Sequence, residues 1–342
     1  MNDILLAIRT SSTSVNSILL AIPYVANIWL GTLFWTMGNI GCVGNLIVFR
    51  SKTFNNQAYT VYLLAETISD FFLVNLVLLT RILEKGFGMS IRSGYDYLCK
   101  IRQFSTYYFY VTSFTFFSMA TIDRILSTQR SNGLRKWSNR VSLAYKLVFV
   151  MTILWLLILC HRLFIYKIQD GDCAPQFLIY DIIDNYAEAI LMEICPLIIV
   201  FILVYFLRRS LRTVLQRQAN TIASSSLSPS NPNKRSQLQQ IDSQLTRMLM
   251  FHSIVAIISF VPYACQIFYS HITENWPKTP LQKAIEKISS QVTHIFAYLF
   301  FVSSFYASMT CNRGFRREIK RKFQFNKVRP SNMLVTHINT NG

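Results

Sequence analysis

The sequence predicts an all-α integral membrane protein built as a bundle of seven transmembrane helices. Three observations carry that expectation. The 342 residues are 52% hydrophobic and only 15% charged, against roughly 45–50% and about 25% in an ordinary soluble chain, so there are too few ionisable side chains to coat a soluble domain of this size. Seven apolar runs each reach the roughly 17–25 residues that cross a bilayer as a helix. Between them, Lys and Arg gather on alternate connections, the pattern left when successive spans emerge on opposite sides.

The first run, Ala26–Phe49, follows residues 1–25, read as a short retained tail because Met1-Asn2-Asp3 lacks the basic opening of a cleaved signal peptide. The second, Ala58–Leu83, carries Asp70 at mid-span. The third, Cys99–Ile122, starts on a thiol and ends against Asp123-Arg124. The fourth is Leu143–Ile165. The fifth, Ile182–Leu207, and the sixth, Leu245–Tyr269, contain Pro196 and Pro262, each of which removes a backbone donor and permits a bend. The seventh, Ser289–Thr310, holds no lysine. Residues 26–311 thus form the membrane domain. The linker at about 208–242, with its run Ser224-Ser225-Ser226 and the later Asn231-Pro232-Asn233, is too polar to bury a core and is expected to be mobile.

Orientation follows from the basic residues. The connections after spans one, three and five and the C-terminal segment hold Arg50, Arg130, Arg135, Arg208, Arg209, Arg212, Arg316, Arg317 and Lys320 among others, with Asp123, Asp242 and Glu318 as their acids. That places the C-terminus in the cytoplasm and the N-terminus outside. It also assigns most of the formal net charge of +18 to an inner membrane face rather than to nucleic-acid binding. Seven cysteines show no C-x-x-C pair and no histidine at metal spacing, so a zinc or thioredoxin-like centre is not expected.

An ionisable residue inside a span is costly and marks a functional hypothesis. Asp70, with Asn45 in span one and Ser113 in span three, either bonds a neighbouring helix or forms a functional polar core. Cys99 lies about seven helical turns from Arg124 on one helix, and Cys173 falls in the loop after span four. Both sit on the oxidising side, which makes them a natural disulfide pair. His161, His252 and His294 lie on different spans and are read as structural.

Over roughly residues 26 to 320 the chain resembles the rhodopsin-like (class A) G protein-coupled receptors. Gly44-Asn45, Asp70, Cys99, Ser113, Asp123-Arg124-Ile125, Trp155 and Pro196 match motif positions, with Ile125 in place of a tyrosine and Glu66-Thr67 in place of Leu-Ala. Tyr205 comes one residue late. Ser259-Phe260-Val261-Pro262 stands where the family has CWxP, and Ser304-Phe305-Tyr306-Ala307-Ser308 where it has NPxxY; another register takes Tyr306 as the motif tyrosine. The resemblance implies a short amphipathic eighth helix within residues 312–342, a sodium-binding polar core at Asn45, Asp70 and Ser113, and a G-protein switch at Asp123 and Arg124. It further implies a heterotrimeric G protein as partner, a plasma-membrane location with the N-terminus extracellular, and no cofactor or metal beyond that sodium.

The ligand pocket expected from the resemblance comprises Gln103, Thr106, Tyr107, Tyr110, Glu193, Phe260 and Tyr263. Thr106 stands where amine receptors of the family carry an aspartate, which disfavours an amine ligand, and the seventh span lacks the lysine of an opsin. An aromatic mouth remains, with Asp170, Asp172, Asp181, Asp184 and Glu188 near it. These acids either meet a basic peptide, in line with the peptide-receptor branch, or form a solvated rim. A transporter would need matched halves and a membrane enzyme a catalytic cluster, and the sequence has neither. The alternative is a non-signalling receptor-like scaffold or partner subunit with degenerate switch motifs.

Overall fold

The computed structural model describes residues 2–51, 54, 57–89, 95–129, 133, 140–169, 172–225, 232–273 and 276–327. In chain order they form α1 (Asn2–Phe49), α2 (Ala58–Gly86), α3 (Asp96–Ser127) and α4 (Val141–Ile165). A hairpin of β1 (Tyr166–Gln169) and β2 (Asp172–Pro175) follows. Next comes α5, in three consecutive stretches, Leu178–Glu188, Ala189–Ile194 and Cys195–Ser225. The chain ends with α6 (Pro232–Ile272), α7 (Pro280–Cys311) and α8 (Arg313–Lys327).

Six of these helices, α1, α2, α4, α5, α6 and α7, are long and apolar enough to cross a membrane. The seventh span, α3, carries Asp96, Lys100, Arg102, Asp123 and Arg124 and packs against α2, α4 and α5. The most polar span thus packs against several others, and its Asp123 and Arg124 are buried between helices, as the cost of polar groups in hydrocarbon requires. The reverse holds for α4, whose window has a mean hydropathy of 2.4 with only 11% of it buried, so most of its surface faces lipid. Around α3 the ring closes through α1 on α2 and α7, and α6 on α5 and α7.

Because lipid is as apolar as leucine, helix association depends on close packing and on interhelical hydrogen bonds. Gly44 of α1 shows the first: a Cβ there would lie 2.2 Å from the Phe305 ring of α7. At the centre Phe117, Phe260 and Phe300 are fully buried and meet edge-on or tilted. α8 inserts Phe315 among Phe49, Phe54 and Phe305, and its Arg316, Arg317, Lys320 and Arg321 give it the basic face of an amphipathic interfacial helix.

Two spans depart from α-geometry. α2 contains π-helical turns at Leu73–Leu78 and Ile82–Gly86, and α5 one at Ala189–Ile194, just before Pro196. Pro196 has no N–H to offer Met192, four residues back. The Met192 carbonyl instead accepts the Tyr110 hydroxyl at 2.7 Å. α6 runs through Pro262 as one helix.

Helices extend beyond the apolar runs. α1 continues back through the residues read as a tail, and α5 and α6 reach Ser225 and Pro232, into the Ser-rich linker. Hydropathy marks the length of helix inside lipid, whereas the backbone ladder continues into water wherever local propensity sustains it. Residues 226–231 of that linker and 328–342 of the C-terminal segment lie outside the described residues.

Candidate functional site

The hairpin is fastened to the start of α3 at two points. Cys99 and Cys173 are disulfide-bonded with their Cα atoms 5.7 Å apart, and the Ile168 N–H donates to the Asp96 carboxylate at 2.9 Å. Beside it, Arg162 of α4 donates to Asp184 of α5 at 2.5 Å, and the Tyr166 hydroxyl donates to the same carboxylate at 2.6 Å. Burial, and then the bond to Asp184, holds the Tyr166 phenol well above its ordinary pKa, so it remains a donor. Tyr107 donates to Glu188, and the Arg162 guanidinium lies 3.3 Å from the centre of the Tyr107 ring. Asp184 and Glu188, two of the acids of the aromatic mouth, are therefore occupied within the protein. Asp170 and the side chain of Asp172 lie outside the described residues.

Below this layer is a small, mostly apolar cavity of about 70 Å³. Of the expected pocket residues, Thr106, Tyr107, Tyr110 and Tyr263 line it. Phe260 is 1% exposed and lies outside the lining, its ring 5.8 Å from that of Tyr110. Gln103 is half-buried and outside the lining, and the Glu193 side chain is outside the described residues. Glu188, more than a turn earlier on α5, faces the cavity. His294 and Tyr298 of α7 also line it; sequence reasoning read His294 as structural, although its spacing of four from Tyr298 places both on one helix face.

In the middle of the bundle the expected polar residues are bonded in two groups. Ser113 donates to Asp70 at 2.5 Å. Asn45 donates to Thr67 at 3.4 Å and to Ser304 of α7 at 3.3 Å. Beside them lies a pair that sequence reasoning missed. Glu66 is 0% exposed, and its carboxylate is 3.7 Å from His252 Nδ1 on α6, while His252 Nε2 is 3.1 Å from the Phe300 carbonyl. The signal was present: Glu66 is an ionisable residue inside a span.

At the far end of α3, about 37 Å from Cys99 at 1.5 Å per residue, Asp123 and Arg124 are 6% and 4% exposed and bonded at 2.9 Å. The Arg124 guanidinium lies 4.4 Å from the Tyr59 ring centre. Thr128 and Ser210 join α3 to α5 at 2.6 Å. Tyr205 is 63% exposed on the outer side of α5. The altered residues of span seven tie helices together: Tyr306 donates to the Met37 carbonyl of α1 at 3.2 Å, and the Ser308 hydroxyl donates to the Met248 sulfur of α6 at 3.1 Å.

The family model described as 7 transmembrane receptor (rhodopsin family) matches residues 38–307. No curated protein matches the chain. The matched segment contains the disulfide, the cavity, the polar core and the Asp123-Arg124 pair within one helical bundle. The chain therefore belongs to the rhodopsin family of seven-transmembrane receptors.

Proposed function

We propose that the protein is a plasma-membrane receptor, with its N-terminus and disulfide end outside and the Asp123-Arg124 end in the cytoplasm, that binds an extracellular peptide and activates a heterotrimeric G protein. The observation that carries this proposal is α3 itself. One face of its upper half lines the cavity with Thr106, Tyr107 and Tyr110, and its lower end holds Arg124 against Asp123 and Tyr59. A ligand that repositions α3, or α6 beside it, changes what Arg124 can meet, which is a two-state element biased from the opposite end. Guanidinium keeps its charge at any cellular pH and can exchange Asp123 for acceptors on an incoming helix.

The orientation rests on the basic connections, and the peptide ligand on the shape of the mouth. Phe87, Tyr95, Phe177 and Trp276 are exposed by 58–63% in the loops of the disulfide end, a broad amphipathic rim that suits an extended ligand rather than a small amine. Asp70, Ser113 and Asn45 supply oxygen donors suited to a hard cation such as sodium.

G-protein activation in cells expressing the chain tests the proposal. With surface expression matched, Asp123→Asn raises basal activation and Arg124→Ala removes it. Equal output from both variants and the parent would refute a transducing role. One observation favours the scaffold alternative: α7 is a continuous 32-residue helix without an internal proline, so it lacks that hinge. On that alternative, well-expressed protein activates no G protein of any class.

A further inference from the structure

Glu66 of α2 and His252 of α6 face each other within membrane-spanning helices, 0% and 2% exposed. The two edges of the imidazole meet different partners. Nε2 is 3.1 Å from the Phe300 carbonyl, which can only accept, so Nε2 carries a hydrogen and donates it. The ring is held in that pose by stacking on Phe300 at 4.6 Å between centroids and by an edge-on contact with Phe117 at 4.8 Å. Nδ1 then faces the Glu66 carboxyl, 3.7 Å from Oε1, and neither oxygen of Glu66 accepts a hydrogen bond. An imidazole that donates through Nε2 and is neutral has only a lone pair at Nδ1, and an ionised carboxyl has only lone pairs. Without a proton between them, two electron-rich atoms would oppose each other in a dry interior.

We propose that Glu66 and His252 form a proton-binding site, in which a single proton is held between α2 and α6 and sustains their contact. Whether it resides on the carboxyl or on Nδ1, the proton gives the pair no net charge and sets a donor against an acceptor. Asp70 supplies a second reason. It lies one turn along α2 and accepts from Ser113 at 2.5 Å, and no basic side chain is bonded to it among the described residues. Two carboxyls a turn apart inside a span are costly to ionise together. Besides Asp70, Cys42 of α1 is the titratable group near enough to interact with Glu66, while α3 and α7 meet His252 with the uncharged rings of Phe117 and Phe300. Loss of the proton would leave a carboxylate against a lone pair, and the contact between α2 and α6 would turn from cohesive to repulsive. The site involves neither the outer cavity nor Arg124, so it stands apart from the receptor proposal.

Purified full-length protein in nanodiscs provides the test, read as thermal unfolding from about pH 7 to 9. Folded, the pair binds one proton; unfolded, a free glutamate and a free histidine bind none above about pH 6.5. The unfolded state thus binds fewer protons, and the pair's contribution to stability falls as pH rises, by up to about tenfold in the unfolding equilibrium per pH unit. Glu66→Gln donates an amide N–H to Nδ1 and needs no proton, so this part of the pH dependence should vanish there, and the parent should lose melting temperature relative to the variant at each step up in pH. Asp70→Asn should keep the dependence. Parallel curves for the parent and Glu66→Gln overturn the proposal. Loss of the dependence in Asp70→Asn also overturns it, by placing the proton between the two carboxyls rather than between Glu66 and His252. If Glu66→Gln does not fold, Glu66→Leu/His252→Leu, which removes the proton together with the pair, takes its place in the comparison. No G protein takes part in this measurement, so a failure to signal would overturn the receptor proposal while leaving this one intact.

Discussion

Replacing Gly44 with alanine sets two terms against each other. Alanine raises helix propensity by about 1 kcal/mol over glycine. Against that, its Cβ would lie 2.2 Å from Phe305 Cε2 and 2.8 Å from Cδ2 and Cζ, where carbon atoms ordinarily sit about 3.5–4.0 Å apart. The ring has little room to withdraw, because it packs on Tyr306 and Phe315 at 5.3 and 5.8 Å between centroids. Overpacking of this kind costs about 1–3 kcal/mol, and an overlap this deep with an aromatic ring belongs near the upper end. The net loss for Gly44→Ala is then about 1–2 kcal/mol, or roughly 3–6 °C in melting temperature. Tryptophan fluorescence of the nanodisc-embedded protein during heating reads that shift. Phe305→Leu in the same background should cancel most of it, giving a coupling energy of about 1 kcal/mol or more in a double-mutant cycle. A Gly44→Ala protein that melts at or above the parent, or a penalty that Phe305→Leu does not reduce, would refute the knob-and-notch account of the α1–α7 contact.

Cys99→Ser, Cys173→Ser and the double variant should each lose the same stability, about 2–5 kcal/mol, since they delete one bond closing a separation of 74 residues; additive losses in non-reducing melts would contradict this. Arg162→Gln strands Asp184, which is 5% exposed, and should cost about 3–5 kcal/mol, visible as reduced surface expression and melting temperature, with Arg162→Lys milder. Asp70→Asn should abolish any stabilisation by sodium chloride that potassium chloride does not reproduce, and an unchanged ion preference would place the site elsewhere. His252→Leu alone leaves Glu66 buried without its partner and should lose about 1–3 kcal/mol. The double variant Glu66→Leu/His252→Leu should melt at or above the parent, and a double variant worse than the single would show that the pair is net stabilising.

The bundle was legible because bilayer thickness sets helix length, so each apolar run falls on one helix, although several helices run well past their runs. The third span was read from its own apolar run, Cys99–Ile122, and its polar residues make sense when it packs against the others. The disulfide was legible because both thiols fall on the side read as oxidising, and the Asp123-Arg124 pair because the two residues are adjacent at the end of a span. What spacing cannot convey is which residues on different spans face each other. Glu66 and His252 were visible singly, yet their encounter depends on the rotation of α2 against α6. The burial of Arg81, bonded to Gln291, arises from the way α2 and α7 meet. Asp184 and Glu188 suggested an attraction for cations because their partners, Arg162, Tyr166 and Tyr107, reach them from other parts of the chain.

The bond from Tyr110 to the Met192 carbonyl has a bearing on which ligands the cavity tolerates. That carbonyl is deprived of its helical donor by Pro196, and Tyr110 is its substitute while also forming part of the cavity wall. A molecule that displaces the Tyr110 ring exposes a buried acceptor, at a cost of about 1–3 kcal/mol unless it brings a donor of its own. A purely hydrocarbon tip is penalised at this spot, whereas a hydroxyl or amide N–H placed there takes over the role of the phenol and removes one of the bonds that tie α3 to α5. The proline thus creates a chemical filter as well as a break in the helix: the guests best able to part these two helices are those that can donate a hydrogen bond to the backbone they uncover.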